Sequence, residues 1–278
     1  MTPEPRDLRL SSGSLRALRV GPERGAVVLC VPGLSANARS FDVIAAALAR
    51  AGRQVVALDL RGRGFSPATA PGSHGWLHHA EDVLEVATQL GAEEFDLVGH
   101  SMGAFVAMQA AALAAARLRR VVLIDAVGPP EPAVIPPILA SVQRLGQTFP
   151  SVDAYWESIR ARGAVAPEDL WEAHSRYELE PVPGGVRART SPAAVVEDLT
   201  YGAANDATRL WPALRMPTLL VRAARPLPPT EGFVVAPALR DAFLVAVPAA
   251  CAIDVDANHY GVMGHAETSK AIMHFLSW

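Results

Sequence analysis

The sequence predicts an α/β chain: a mainly parallel twisted sheet with helices on both faces, plus one inserted helical cap. Three observations predict it. Short β-rich runs alternate with longer segments of helical spacing, as in βαβ units. Several of the runs are apolar throughout, as strands buried on both faces are. The alternation then breaks between residues 129 and 207, a stretch too long for a simple crossover. The expected division is a core of residues 1–128 and 208–278 and a cap of residues 129–207.

The elements follow in order. An N-terminal hairpin is expected around Leu8 to Val20, then strands at Ala26 to Val31, Gln54 to Leu58, Phe95 to Val98, Val121 to Ile124, Thr218 to Val221 and Cys251 to Asp254. Ser40 to Arg50, Trp76 to Leu90, Ser101 to Leu118 and Ala266 to Phe275 carry apolar residues at helical spacing, several entered through Ser, Asn or Gly. Within the cap, Val134 to Thr148, Val152 to Arg162, Pro167 to Leu179 and Ala193 to Tyr201 read as short helices between Pro and Gly breakers. The Pro-rich pieces Gly128 to Pro132 and Arg225 to Pro229 read as loops leaving strands.

Composition narrows the partners. With 50% hydrophobic and 19% charged residues, the chain has the apolar surface a folded core requires. A formal net charge of −3 without a Lys or Arg block offers no footprint for nucleic acid or an anionic membrane, so the expected partner is a small molecule. Cys30 lies in the apolar run Val27 to Val31, where a buried thiol is expected; with Cys251 it suggests neither a disulfide framework nor a metal site. Gly103 to Ala116, the longest stretch of low polarity, falls short of the roughly 20 residues of a membrane-spanning helix and reads as a buried one. The first residues lack the apolar core of a signal peptide, so a cytoplasmic location is expected. Monomer and homodimer both fit.

Gly99-His-Ser101-Met-Gly103 is a G-x-S-x-G pentapeptide. Given 21 Gly and 15 Ser among 278 residues, chance yields about 0.09 such matches per chain. Its context strengthens it: a strand precedes it and an Ala-rich helix follows at once. A serine on so sharp a turn takes a strained backbone, and Gly99 and Gly103 remove side chains that would collide across it. The purely structural reading of Ser101 is a helix N-cap.

Here the chain resembles the α/β-hydrolase fold family over nearly its whole length. Val31-Pro-Gly33-Leu34 looks like that family's oxyanion loop, with Pro32 where a His is common, and Leu58-Asp-Leu-Arg-Gly-Arg-Gly-Phe-Ser66 resembles the loop after the next strand. The resemblance implies Ser101 as nucleophile, with the backbone N–H groups of Leu34 and Met102 receiving the oxyanion. It also implies His259, just after the last strand, as general base; the rival reading is a surface-loop histidine. His74, His78, His79, His100, His174, His265 and His274 fit that place less well.

The third member should be a carboxylate orienting the imidazole. The family's usual seat beyond the penultimate strand, Leu219 to Pro228, holds none before Glu231. Some members place the acid after the strand that follows the nucleophile helix, which makes Asp125 the candidate and Glu231 the alternative acid. Asp59 with Arg61 is expected to organise its own loop. Asp254 and Asp256 stand too close to His259 in sequence to be preferred. Gly62 and Gly64 lack the further residues of a nucleotide loop, so no cofactor and no metal is expected.

The expectation is a serine hydrolase, of carboxylesterase or lactonase type, acting on a small and mostly apolar ester, lactone or thioester. The alternatives are a cofactor-free C–C bond hydrolase or lyase and, in another class, a non-catalytic small-ligand-binding protein. Trp156, Trp171, Tyr177, Ile135, Ile138 and Leu139 could roof a pocket or pack the cap; at helical spacing, packing is the commoner role.

Overall fold

The computed structural model describes residues 2–161 and 165–277. Eight strands form the main sheet: β1 (Glu4–Leu10), β2 (Gly13–Val20), β3 (Val27–Val31), β4 (Gln54–Leu58), β5 (Phe95–His100), β6 (Leu118–Ile124), β10 (Thr218–Ala223) and β11 (Ala250–Val255). Their order is β1-β2-β4-β3-β5-β6-β10-β11. The β1–β2 and β2–β4 pairs are antiparallel and the rest parallel.

Every residue of β3, β4, β5 and β10 is buried, because helices cover both faces. The two-residue period of a strand then splits the core in two. Leu29, Val56 and Leu97 point to the face covered by α2 (Trp76–Gln89) and α3 (Met102–Ala114). Val28, Val55 and Val98 point to the face covered by α1 (Asp42–Arg50) and α9 (Ala266–Leu276). Each such side chain contributes about 1.5–3 kcal/mol on burial. Cys30 is a buried free thiol, pushed up by burial, and Cys251 is free and exposed. The helix expected from Ser101 to Leu118 ends earlier, at Ala114, and passes through a 3-10 turn, Ala115–Arg117, into β6.

Between β6 and β10 lie α4 (Ile135–Val142), β7 (Thr148–Phe149), α5 (Val152–Arg160), α6 (Glu168–Tyr177), β8 (Leu179–Val182), β9 (Gly185–Ala188) and α7 (Pro192–Ala204). Ser151 and Ser191 accept from the N–H of Ala154 and Ala194 as N-caps, the latter ahead of Pro192. Arg162, the expected end of α5, lies outside the described residues. The expectation of helices alone needs correction, since β7, β9 and β8 form a three-stranded antiparallel sheet. Strands of two to four residues carry no readable period, and a Pro inside β8 argues against a strand. After β10, α8 (Pro237–Ala246) completes the helices of the main sheet.

The inserted segment is tied to the sheet through buried polar contacts. Tyr177 donates to Asp59 Oδ2 at 2.9 Å, and the Asn37 N–H donates to His174 Nε2 at 3.2 Å. Asp198 of α7 meets Arg63, His79 and the Gly75 N–H. No described helix is long and apolar enough to cross a membrane.

A Cβ on Gly103 would lie 2.0 Å from the Val31 carbonyl oxygen, backbone against backbone. Gly103→Ala should therefore lower stability by about 3 kcal/mol in urea unfolding; an unchanged midpoint would contradict the close approach. His174 accepts an N–H and must be neutral to do so, and burial lowers it from 6.5 to about 4. The unfolded chain then binds more protons between those values, so His174's contribution is present above pH 6.5 and lost as pH falls toward 4. Relative to His174→Gln, the wild type should lose on the order of 3 kcal/mol across that window, read from urea midpoints at each pH.

Candidate active site

Ser101 stands alone between the end of β5 and the start of α3, with φ 55° and ψ −125°. Only Ser101 and Asp125 among the described non-glycine residues take positive φ. The turn holds because backbone closes on it from both sides. A Cβ on Gly99 would lie 2.1 Å from the Gly103 carbonyl oxygen, so both glycines are sterically required. The Ser101 N–H donates to the Ile124 carbonyl at 3.0 Å, and the Ala104 N–H to the Ser101 carbonyl at 2.9 Å.

The hydroxyl faces His259. Ser101 Oγ lies 3.1 Å from His259 Nε2, and His259 Nδ1 lies 2.8 Å from Asp125 Oδ2. The carboxylate accepts the Nδ1 proton, which leaves Nε2 as the acceptor for the serine hydroxyl. Asp125 follows β6 in a left-handed conformation, φ 49°, and its other oxygen accepts the Ala223 N–H at 3.0 Å. The sheet order explains the meeting: β5, β6, β10 and β11 are consecutive neighbours, and all three side chains sit at their carboxyl ends. His259 is aimed by its surroundings. Asn258 Oδ1 accepts from the N–H groups of Tyr260 and Gly261, turning the chain at 3.1 and 2.8 Å. His100 lies beside it, with ring centroids 4.7 Å apart, and its Nε2–H donates to the His259 carbonyl at 3.1 Å. Burial and the neighbouring His259 hold His100 well below the usual histidine range, hence neutral.

The remaining carboxylates are elsewhere. Glu231 is exposed on the loop after β10 and is not His259's partner. Asp254 pairs with Arg222 and Arg240, and Asp256 with Arg225. Asp59 does not pair with Arg61. Its oxygens accept from the N–H groups of Ala38 and Phe65 and from Tyr177, while burial pushes it up to about 6. Arg61 instead forks onto Asp82 of α2.

Gly33 to Ala36 form a turn against the serine, with the Ala36 N–H on the Gly33 carbonyl. A Cβ on Gly33 would lie 3.1 Å from Ser101 Cβ. Leu34 and Met102 both border the cavity over Ser101, and the Met102 N–H, at the first turn of α3, has no intrahelical acceptor. The cavity measures about 1360 Å³. Trp171, Ile135, Ile138 and Leu139 line it. Trp156 instead packs in the core, and Tyr177 packs against Phe65 with ring centroids 4.8 Å apart and planes tilted by 60°.

The charges bordering the cavity among the described residues are Arg144, Asp198 and Asp206. Arg144 is matched by buried Glu178 and Tyr155, Asp198 by Arg63, and Asp206 is an exposed N-cap to Thr208. Sequence reasoning missed these pairs. Arg63 and Asp198 stand 135 positions apart, and the one visible signal was the Arg-Gly-Arg-Gly repeat.

Comparison with known proteins identifies the fold. A profile of the alpha/beta hydrolase fold matches residues 26–179, more than half of the chain. N-formylmaleamate deformylase of Pseudomonas putida is 32% identical over 214 residues, 75% of this chain and 74% of that protein. 3-Hydroxybutyrate-oligomer hydrolase of Cupriavidus necator is 30% identical over 174 residues, 59% of this chain and little more than half, 56%, of that protein. The crystal structure of E-2-(acetamidomethylene)succinate hydrolase superposes with a TM-score of 0.88 at 25% identity, covering 99% of this chain and 100% of that one. With its sheet order, its serine turn and these matches taken together, the chain belongs to the α/β-hydrolase fold family.

Proposed function

We propose that the chain is a serine hydrolase that cleaves a carboxylic ester of an uncharged, largely apolar acid through an acyl-enzyme on Ser101. The observation that carries the reading is His259, which bridges Ser101 Oγ at 3.1 Å and Asp125 at 2.8 Å. Ser101 Oγ attacks the ester carbonyl as its proton passes to His259 Nε2, and Asp125 stabilises the imidazolium. The oxyanion accepts from the Leu34 and Met102 N–H groups, fixed dipoles that need no reorganisation as charge develops. Collapse breaks the C–O bond, and the alcohol leaves with the imidazolium proton. Water then adds to the acyl-enzyme by the same sequence, releasing the acid and restoring the serine.

Charge accounting supports an uncharged substrate. Arg144, the cation bordering the cavity among the described residues, is already paired with buried Glu178, so an entering carboxylate finds no free counter-charge. Relatives are named for maleamate and succinate substrates, which carry carboxylates, so the substrate class proposed for this chain differs from theirs. The same relatives favour a second reading, cleavage of an amide by the same three residues, whereas the 3-hydroxybutyrate-oligomer hydrolase favours an ester.

Two measurements test this. With nitrophenyl butyrate, Ser101→Ala and His259→Gln should lose kcat by about 10⁴-fold or more and Asp125→Asn by about 10²- to 10⁴-fold, with Glu231→Gln unchanged. Full activity in Asp125→Asn with loss in Glu231→Gln would move the acid. Nitrophenyl butyrate should exceed the nitrophenyl monoester of succinate in kcat/KM by about tenfold or more, since an unpaired carboxylate is costly to bury. The reverse preference would refute the uncharged-substrate reading, and comparable turnover of butyryl nitroanilide would favour the amide.

A further inference from the structure

Arg63 is completely buried, the largest side chain among the described residues to be so. It lies in the loop after β4, and its guanidinium spends its donors on two targets beyond its own loop. Nε and Nη2 both donate to the carbonyl of Leu34, at 3.0 and 2.9 Å. Nη2 also meets the carboxylate of Asp198, and Nη1 holds the Arg61 carbonyl at 2.8 Å. Asp198 is in turn fixed by the Gly75 N–H at 2.6 Å and by His79 Nε2 at 3.0 Å.

This network stands behind the oxyanion loop rather than in it. Leu34 borders the cavity over Ser101, and its carbonyl, one peptide beyond its N–H, is held by the Arg63 fork. Lysine is a single-point donor and cannot reproduce that grip. We propose that Arg63 is a positioning residue for the reaction. By fixing the Leu34 carbonyl it sets the Leu34 N–H against the developing oxyanion, and Asp198 of the inserted segment supplies the counter-charge that lets a buried guanidinium stay there. The proposal rests on the serine-hydrolase reading and adds a dependence of the oxyanion donor on a residue outside the cavity wall.

The test compares Arg63→Lys and Asp198→Asn with wild type in nitrophenyl butyrate hydrolysis, inhibition by a butyl trifluoromethyl ketone, and urea unfolding. The ketone forms a tetrahedral adduct whose oxygen occupies the oxyanion position, a readout that a merely structural residue would not move. Arg63→Lys keeps a cation opposite Asp198 but loses the fork: kcat should fall about 10²-fold with KM within about threefold, and the ketone's Ki should rise by a similar factor. Asp198→Asn keeps one acceptor oxygen, for Arg63 or Gly75 but not both, and leaves the Arg63 fork on the Leu34 carbonyl available, so its loss in kcat should be smaller, under about tenfold. Arg63→Lys with wild-type kcat and Ki overturns the proposal. So does an Asp198→Asn loss in kcat equal to that of Arg63→Lys and matched only by lost stability, with Ki unchanged in both. A wild type that neither hydrolyses the ester nor binds the ketone overturns the hydrolase reading, and the proposal with it.

Discussion

The left-handed turn at Ser101 is the constraint on which the rest of the site depends. A non-glycine residue at φ 55° costs about 1–3 kcal/mol, and it persists only where its surroundings leave no alternative. Here they leave none. β5 is buried between β3 and β6, α3 lies buried across the sheet, and the Gly99 and Gly103 backbones meet closer than any side chain allows. Hydrophobic packing of the parallel sheet thus supplies the strain that lifts one hydroxyl off its carboxyl edge.

The same edge gathers the other two groups. Asp125 is held in a second positive-φ conformation at the end of β6, and the Ala223 N–H on the neighbouring strand fixes one of its oxygens. The other oxygen then points at His259 beyond β11. Strands β5, β6 and β11, with β10 between the last two, therefore deliver serine, carboxylate and imidazole to one edge of the sheet. The buried pairs Arg63–Asp198 and Arg144–Glu178 do different work: they neutralise charge at the margins of the cavity, leaving its wall largely apolar.

What the sequence made legible follows from which signals are local. The runs Ala26 to Val31 and Thr218 to Val221 read as strands because burial on both faces imposes an apolar pattern within four to six residues. The G-x-S-x-G turn is likewise local, and His259 followed from its place after the last strand. Asp125 was reachable only through the family resemblance, because the contact that selects it over Glu231 spans 134 positions. The short strands β7, β8 and β9 carry too few residues to show a period. Arg63 reads as one more loop arginine until the inserted segment brings Asp198 against it.

Reaction with a biotinylated fluorophosphonate, followed by peptide mass mapping, tests the central claim most directly: that the strained serine is an activated nucleophile. Our account predicts one phosphonate adduct on Ser101 of the folded protein, abolished by Ser101→Ala and by prior unfolding. No adduct, or an adduct on a different serine that survives Ser101→Ala, would contradict it.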